Sequence, residues 1–305
     1  MKNILVTGGT VFVSRCIAEY FAAKGENVFV LNRGTKPQSK GVTPIICDRH
    51  SLGDTLKKYS FDLVIDVTAY TREDVRSLHT ALGDFGQYVF ISSSAVYPET
   101  LPQPFKETSK CGRNCIWGDY GVNKLAAEEY LLENVKDLYI LRPPYLYGRG
   151  ENLYRAPFIF DCAASGQTVF LPRNDLRLQF FDVEDLCGFI DIVTVRKPEK
   201  RIFNVGNQNS VTAEEWVRYC FEAAGKVPEI KLASKEHFAR NYFCFYDYDY
   251  SLDVTEMLKL MPLTKSLKQG VCEEYEWYIK NSESVLKKGY IDYININLPA
   301  PWGAM

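Results

Sequence analysis

The chain has 305 residues, 46% of them hydrophobic and 24% charged, with a formal net charge of −2 and a pI near 6.0. That is room for one large core or two unequal domains. It gives no basic surplus for nucleic acid or an anionic membrane surface, and no apolar window reaches the length of a membrane span.

The chain opens on NILVTG (3–8), an apolar run that ends in glycine. A helical stretch over 14–24 follows, with Ile17, Ala18, Phe21 and Ala22 on one stripe and Gly25 as its stop. Further strands are expected at NVFVLN (27–32), TPIICD (43–48), DLVIDV (62–67), YVFISS (88–93) and YILRP (139–143), with helices over 51–59, 71–82 and 120–135 between them. Most of the strands are continuously apolar, as parallel strands buried on both faces are. Their alternation with helices predicts right-handed crossovers and an α/β fold, a doubly wound, Rossmann-like parallel sheet.

Beyond residue 145 the pattern loosens. RAPFIFDCAASG reads as a helix, TVFLP as a short strand, FFDVEDLCGFIDIVTV as a buried helix and IFNVGN as a strand. TAEEWVRYCFEAAG reads as a helix opened by Thr212, with glutamates in its first turn. The expected organisation is a dinucleotide-binding domain over 1–150 and a smaller, partly interleaved substrate lobe and tail over 151–305. The aromatic tail 290–305 is either docked on the body or exposed for a partner.

Nine cysteines (16, 47, 111, 115, 162, 187, 220, 244, 272) are an odd set scattered through apolar runs, the usage of buried thiols in a reducing compartment. Three histidines (50, 79, 237) and one close cysteine pair, Cys111 and Cys115, argue against a zinc site. MKNILVTGG runs straight into a strand without the pattern of a signal peptide, so the expected location is the cytoplasm.

The turn TGGTVFVSR (7–15) stands between a strand and a helix, where a dinucleotide pyrophosphate meets free helix N–H groups. Read as G-x-x-G-x-x-G it has Gly8 but Val11 and Ser14 in place of the other two glycines, so a purely structural turn is nearly as good a reading. The second strand ends in Asn32-Arg33-Gly34, where NAD-binding folds carry an acidic residue. An arginine there suits the 2′-phosphate of NADP, a contact worth roughly 1.5–3 kcal/mol; the alternative is a solvated loop arginine. Asp48 is placed either to accept from an adenine amino group or to cap the helix expected at 51.

The fifth strand ends in Ser92-Ser93-Ser94, on the edge where doubly wound folds bind ligands. Tyr120 and Lys124 follow, four apart on one helical face. A free phenol titrates near ~10, and a neighbouring ammonium is expected to lower that value. Tyrosine, lysine and a serine hydroxyl together suit hydride transfer at a carbinol carbon.

With these motifs in hand, the chain resembles an extended short-chain dehydrogenase/reductase of the NAD-dependent epimerase/dehydratase group. More narrowly, it is similar to an atypical branch whose turn reads TGGT-x-F. The resemblance covers roughly residues 1 to 225 through TGGTVF, LNRG, SSSAVY, YGVNK, LRPPYLYGRG and FFDVEDL. It implies Ser93 as the catalytic hydroxyl, Tyr120 as the acid/base and Lys124 as the group that also grips the nicotinamide ribose. It implies a cofactor cradle of Thr7, Gly8, Gly9, Thr10, Val11, Phe12, Asn32, Arg33, Asp48 and Pro143, with Ser94 and Tyr145 on the substrate side. Members that eliminate water carry an acidic pair after the catalytic hydroxyl; here those positions are Ser94 and Ala95, so a 4,6-dehydratase is not expected. Arg177 is a candidate for a substrate phosphate, although relatives place that arginine where Leu178 stands. Arg149, Arg155 and Arg173 are weaker candidates. The loop carrying Cys111 and Cys115 is expected to border the site.

The resulting reading is an NAD(P)-dependent oxidoreductase or epimerase acting on a sugar, nucleotide-linked, with Arg33 favouring NADP over NAD. Some relatives with this turn resemble chloroplast RNA-binding proteins, so a binding module on the same fold, or a cofactor-occupancy sensor, is the competing class. The charge balance argues against nucleic acid, and the resemblance implies a homodimer through helices 71–82 and 120–135.

Overall fold

The apolar runs of the first half become the strands of one sheet in the computed structural model, which describes residues 1–298. They are β1 (Asn3–Thr7), β2 (Asn27–Asn32), β3 (Val42–Ile46), β4 (Phe61–Asp66), β5 (Phe85–Ile91) and β6 (Leu138–Arg142). Two parallel pairs, β7 (Tyr145–Tyr147) with β10 (Phe180–Asp182) and β8 (Val169–Leu171) with β13 (Ile230–Leu232), lie outside that sheet. So does the antiparallel pair of β9 (Arg177–Leu178) and β12 (Val211–Thr212). The IFN segment, β11 (Ile202–Asn204), returns to the main sheet beside β6, giving the order β11-β6-β5-β4-β1-β2-β3 with parallel pairing throughout.

Side chains alternate along these strands, so each strand feeds two layers. Ile4 and Val6 pack on the face covered by α1 (Phe12–Ala23) and α5 (Val183–Arg196), while Leu5 packs on the other, with α2 (Arg72–Ala81) and α3 (Asp119–Asn134). Because both faces are covered, β6 is buried at every position and β4 at all but one, whereas edge strand β3 is mostly exposed. The C-terminal lobe continues the α1/α5 layer. There α4 (Ala156–Ser165), α6 (Ala213–Ala223) and α8 (Leu267–Asn281) pack together, and Trp216 is buried against Phe180 and Phe245. The short helices α7 (Thr255–Leu260) and α9 (Tyr290–Asn297) complete it.

The helix signals hold where local chemistry is strong. Gly25 follows α1 at φ 81°, and a reciprocal capping box of Thr212 and Glu215 opens α6. Residues 51–59 are a correction: they form successive turns instead of a helix, with i to i+3 bonds such as Thr55 N to Leu52 O at 2.9 Å. Gly53 at φ +48° interrupts the right-handed path there. Of the tail, Tyr290, Ile294 and Leu298 are buried on the body, and residues 299–305 lie outside the described residues.

Candidate active site

The crossover from β1 to α1 has two positions that only glycine fills. Gly8 stands at φ +90°, and a Cβ on it would come within 2.7 Å of Ser14 Oγ. Gly9 stands at φ +77°, and its Cβ would lie 2.4 Å from Val30. Val11 takes extended angles, φ −137° and ψ 135°, so the fold itself does not require the missing middle glycine. The strain moves instead to Phe12, which begins α1 at φ 37°. No side chain caps the first turn of α1, and Val11 to Ser14 line a cavity of about 610 Å³, so that turn's N–H groups stand without a side-chain acceptor at the cavity wall. Ser14 folds back, its Oγ donating to Val11 O at 3.0 Å. A cradle that a Cβ would fill, above an uncapped helix start, fits a dinucleotide pyrophosphate.

The opposite wall of the cavity is the end of β5. Ser92 and Ser93 follow the last strand residue, Ile91, and both line the cavity. Tyr120 and Lys124 reach the same space from α3, and Gly121 explains how. A Cβ at 121 would lie 2.1 Å from Ala95 O, so a glycine lets the start of α3 press against the strand end and deliver the tyrosine beside Ser93. The Ser93 hydroxyl accepts from Ala95 N at 3.1 Å.

The expected acidification of Tyr120 by Lys124 is not what the structure gives. Tyr120 is 38% exposed as a residue, yet burial pushes its phenol above the usual value, against the lowering effects of Ser93 and, more weakly, Arg155. The Lys124 ammonium donates instead to Ala69 O at 2.7 Å and Ile91 O at 2.8 Å, below the rings of Tyr70 and Phe90. Burial holds it down to about 8, against the raising effect of Asp66 and Glu128.

Behind these residues lies a buried ion pair that sequence reasoning missed. Arg142 of β6 meets Glu128 of α3 at 2.5 Å and 3.0 Å, Ser92 donates to the same carboxylate, and Arg142 Nη1 reaches the Tyr97 hydroxyl at 2.8 Å. Glu128 lies four residues after Lys124, so this pair fixes the same helix against the end of the neighbouring strand β6, and Ser92 ties it to the end of β5. A second network holds the turn. Asp66 is fully buried and accepts from Thr7 Oγ1 at 2.8 Å, from Tyr88 at 2.8 Å and from Arg49 Nη2 at 3.0 Å. These partners together keep its carboxyl below the usual range although burial alone would raise it.

The cavity gathers Val11, Phe12, Ser93, Tyr120, Lys124, Pro143 and Tyr145 from the residues that the sequence nominated. Thr7, Gly8, Gly9 and Thr10 shape the turn from behind, and Asn32 braces it by donating to Gly8 O at 2.8 Å. Arg33 is exposed just past β2. Asp48 closes a small turn, accepting from His50 N at 2.9 Å, with no helix after it to cap. Ser94 is not a cavity residue: its hydroxyl donates to Pro143 O at 2.7 Å and meets the Tyr250 hydroxyl. Arg177 also lies away from the cavity, bonded to Ser210 Oγ at 3.0 Å and Ser210 O at 2.8 Å. Arg149 pairs with Glu184, and Arg173 with Asp175, Asp247 and Asp249; of these arginines Arg155 alone faces the cavity. The loop before α3 contributes Trp117, while Cys111 and Cys115 stay outside with their thiols held above the usual value by burial and by Glu99 respectively.

The far end is built from residues with no sequence signal. Arg240, Cys244, Phe245, Tyr246, Tyr250 and Lys288 close over Trp117 and Tyr145. Among the described residues no aspartate or glutamate lines the cavity.

A family model described as NAD dependent epimerase/dehydratase family matches residues 4–206. The chain belongs to that family. It is 26% identical over 251 residues to the chloroplast stem-loop binding protein of 41 kDa b of Arabidopsis thaliana, a match that takes in 75% of this chain and 65% of that protein's length. The dTDP-glucose 4,6-dehydratase of Bacillus anthracis in complex with NAD superposes with a TM-score of 0.76 at 18% identity, over 93% of this chain and 99% of that one. MoeE5 in complex with UDP-glucuronic acid and NAD gives 0.73 at 20% identity, over 91% and 99%. At such identities these two structures carry the fold alone. Among the described residues no helix is long and apolar enough to cross a membrane.

Proposed function

We propose that this family member transfers hydride at a carbinol carbon of a sugar, with Tyr120 moving the proton at the carbinol oxygen. One observation carries the reading: Ser93, Tyr120 and Lys124 line the same cavity as the uncapped first turn of α1. The nicotinamide of NAD or NADP, when bound, supplies the hydride acceptor or donor. Gly8 and Gly9 would admit its pyrophosphate, Pro143 would border its ring, and Arg33 just past β2 would select the 2′-phosphate of NADP over NAD. Ser93 hydrogen-bonds the substrate oxygen. Tyr120, held protonated, is set to donate to that oxygen, which is the reductive direction. Lys124, now bonded to the Ala69 and Ile91 carbonyls, would turn from them to hold the ribose of the bound nucleotide.

The lack of a carboxylate in the lining supports a reaction without dehydration, because elimination needs an acid and a base of its own. A nucleotide-linked sugar is the proposed substrate class, in line with the UDP-glucuronic acid held by MoeE5. The name of the Arabidopsis relative, a stem-loop binding protein, supports the second reading, a nucleic-acid-binding module; that function would be strongly salt-dependent and indifferent to Tyr120. A homodimer through α2 and α3, which leaves Val122 and Leu132 exposed, and a reducing, cytoplasmic location for the nine free thiols, complete the proposal.

Denaturing the purified protein and identifying the released nucleotide tests it. Tightly held NAD marks an epimerase that recycles its cofactor, and an empty site that binds NADPH marks a reductase. A protein that neither releases nor binds a pyridine nucleotide contradicts the enzymatic reading.

A further inference from the structure

Two thiols meet between α1 and α5, and neither belongs to the lining of the cavity. The sulfurs of Cys16 on α1 and Cys187 on α5 stand 3.7 Å apart, the Cys187 thiol donating to Cys16. Although the chain carries nine cysteines, this is the one contact between two thiols among the described residues. The pair is 171 positions apart in sequence, so only the packing of α1 on α5 brings it together. Lys24 and Asp191 hold the same two helices in register, paired at 2.5 Å two turns on from Cys16 and one turn on from Cys187.

The two cysteines differ in a way that suits stepwise oxidation. Cys16 is half-buried, so part of the residue meets solvent, whereas Cys187 is fully buried. Burial, and then Cys16 beside it, hold the Cys187 thiol well above its usual value, with Asp182 and Glu184 adding to the effect. Cys187 therefore keeps its proton until the sulfur it faces has been oxidised. An accessible sulfur backed by a second thiol in contact is the arrangement that turns oxidation into a disulfide before it reaches an irreversible acid.

We propose that Cys16 and Cys187 form a reversible disulfide that fastens α1 to α5 when the protein meets a peroxide. The Cys16 sulfur attacks one peroxide oxygen, the O–O bond breaks, and Cys16 becomes a sulfenic acid as one water leaves. The Cys187 sulfur then attacks the Cys16 sulfur, the S–O bond breaks, and a second water carries away the Cys187 proton. Two thiols lose two electrons in all, and one hydrogen peroxide is reduced to two waters. The sulfurs close from 3.7 Å to about 2 Å, a shift shared between two side chains. A dithiol reductant reverses the change by taking the disulfide onto its own sulfurs, so where such reductants abound the pair rests as two thiols. The bond ties the helix that begins at the TGGTVF turn to the helix that follows β10, whose partner strand β7 carries Tyr145. The inference goes beyond the hydride-transfer reading and does not rest on it.

The full chain treated with hydrogen peroxide, alkylated with iodoacetamide and digested with trypsin without reductant tests the site by mass spectrometry. Cleavage after lysine and arginine leaves Cys16 in CIAEYFAAK and Cys187 in LQFFDVEDLCGFIDIVTVR, each the only cysteine of its peptide. The two peptides should appear joined, lighter than their sum by two hydrogens, and should separate again after dithiothreitol. In C187S the Cys16 sulfenic acid should persist and be trapped by dimedone. Closing so long a loop should raise the melting temperature of the oxidised wild type by roughly 3–6 °C. Should C187S fail to fold, C16S, changed at the half-buried position, should show neither the joined peptides nor that rise. Peroxide-treated wild type in which Cys16 is recovered unlinked, as a thiol or as a sulfinic acid, overturns the proposal. So does a link that leaves the melting temperature unchanged or lower, because the bond would then have formed in unfolded chain.

Discussion

The two ends of the cavity are built from different parts of the chain. At the α1 end the protein presents backbone: glycines at positive φ, an uncapped helix start and a turn pinned by Thr7 and Asp66. At the far end it presents side chains, aromatic walls and three cations that converge from residues far apart in sequence. Backbone recognition requires particular residues at fixed local spacing, so it leaves a mark in the sequence. Recognition by side chains gathered through the fold leaves almost none. The wall of Ser93, Tyr120 and Lys124, to which we assign the proposed chemistry, lies between and belongs to both.

The largest expected effect falls on that wall. Tyr120→Phe removes the proton donor and should lower turnover about 10²- to 10⁴-fold, with NAD affinity unchanged in a parallel titration. An equal loss of NAD binding would make Tyr120 part of the cofactor cradle and blur the division between the ends. Next comes the buried pair behind it. Glu128→Ala strands Arg142 and should cost about 3–5 kcal/mol in urea unfolding, while a cost below about 1 kcal/mol would mean that the pair does not hold α3 to the strand end.

Lys124 gives a pH signature. Its value falls from 10.5 to about 8 in the folded chain, so between those limits the unfolded chain binds a proton that the folded chain has released. Stability therefore rises with pH across that window, and the cost of the buried ammonium is fully present below pH 8. At 1.36 kcal/mol per pH unit, wild type should gain up to about 3 kcal/mol on Lys124→Met between pH 8 and 10.5. Parallel pH profiles of the two unfolding free energies would contradict it. The smallest effect sharpens the α1 end. Arg33→Ala should weaken NADP binding by roughly 1.5–3 kcal/mol and leave NAD binding as it was; equal changes for both nucleotides would remove Arg33 as the selector.

The sheet was legible because its strands are continuous apolar runs, and so were TGGTVF and the Tyr120/Lys124 pair because their spacing is local. Residues 51–59 misled because a helix-like pattern does not reveal Gly53 at positive φ. The acid/base chemistry was only half legible. A four-residue spacing places Lys124 on the same face as Tyr120, but its ammonium reaches carbonyls at 69 and 91 that sequence distance hides. Tyr250, Arg240 and Lys288 were invisible for a related reason: each reaches the cavity only after α4, α6 and α8 have packed.

A crystal structure of the protein soaked with NAD or NADPH tests the central claim most directly. The nicotinamide should lie between Val11 and Tyr120, with the phenol facing its reactive edge and Lys124 turned from the Ala69 and Ile91 carbonyls to the ribose. A dinucleotide seated elsewhere, or a cavity that stays closed to it while the phenol points away, would contradict the account.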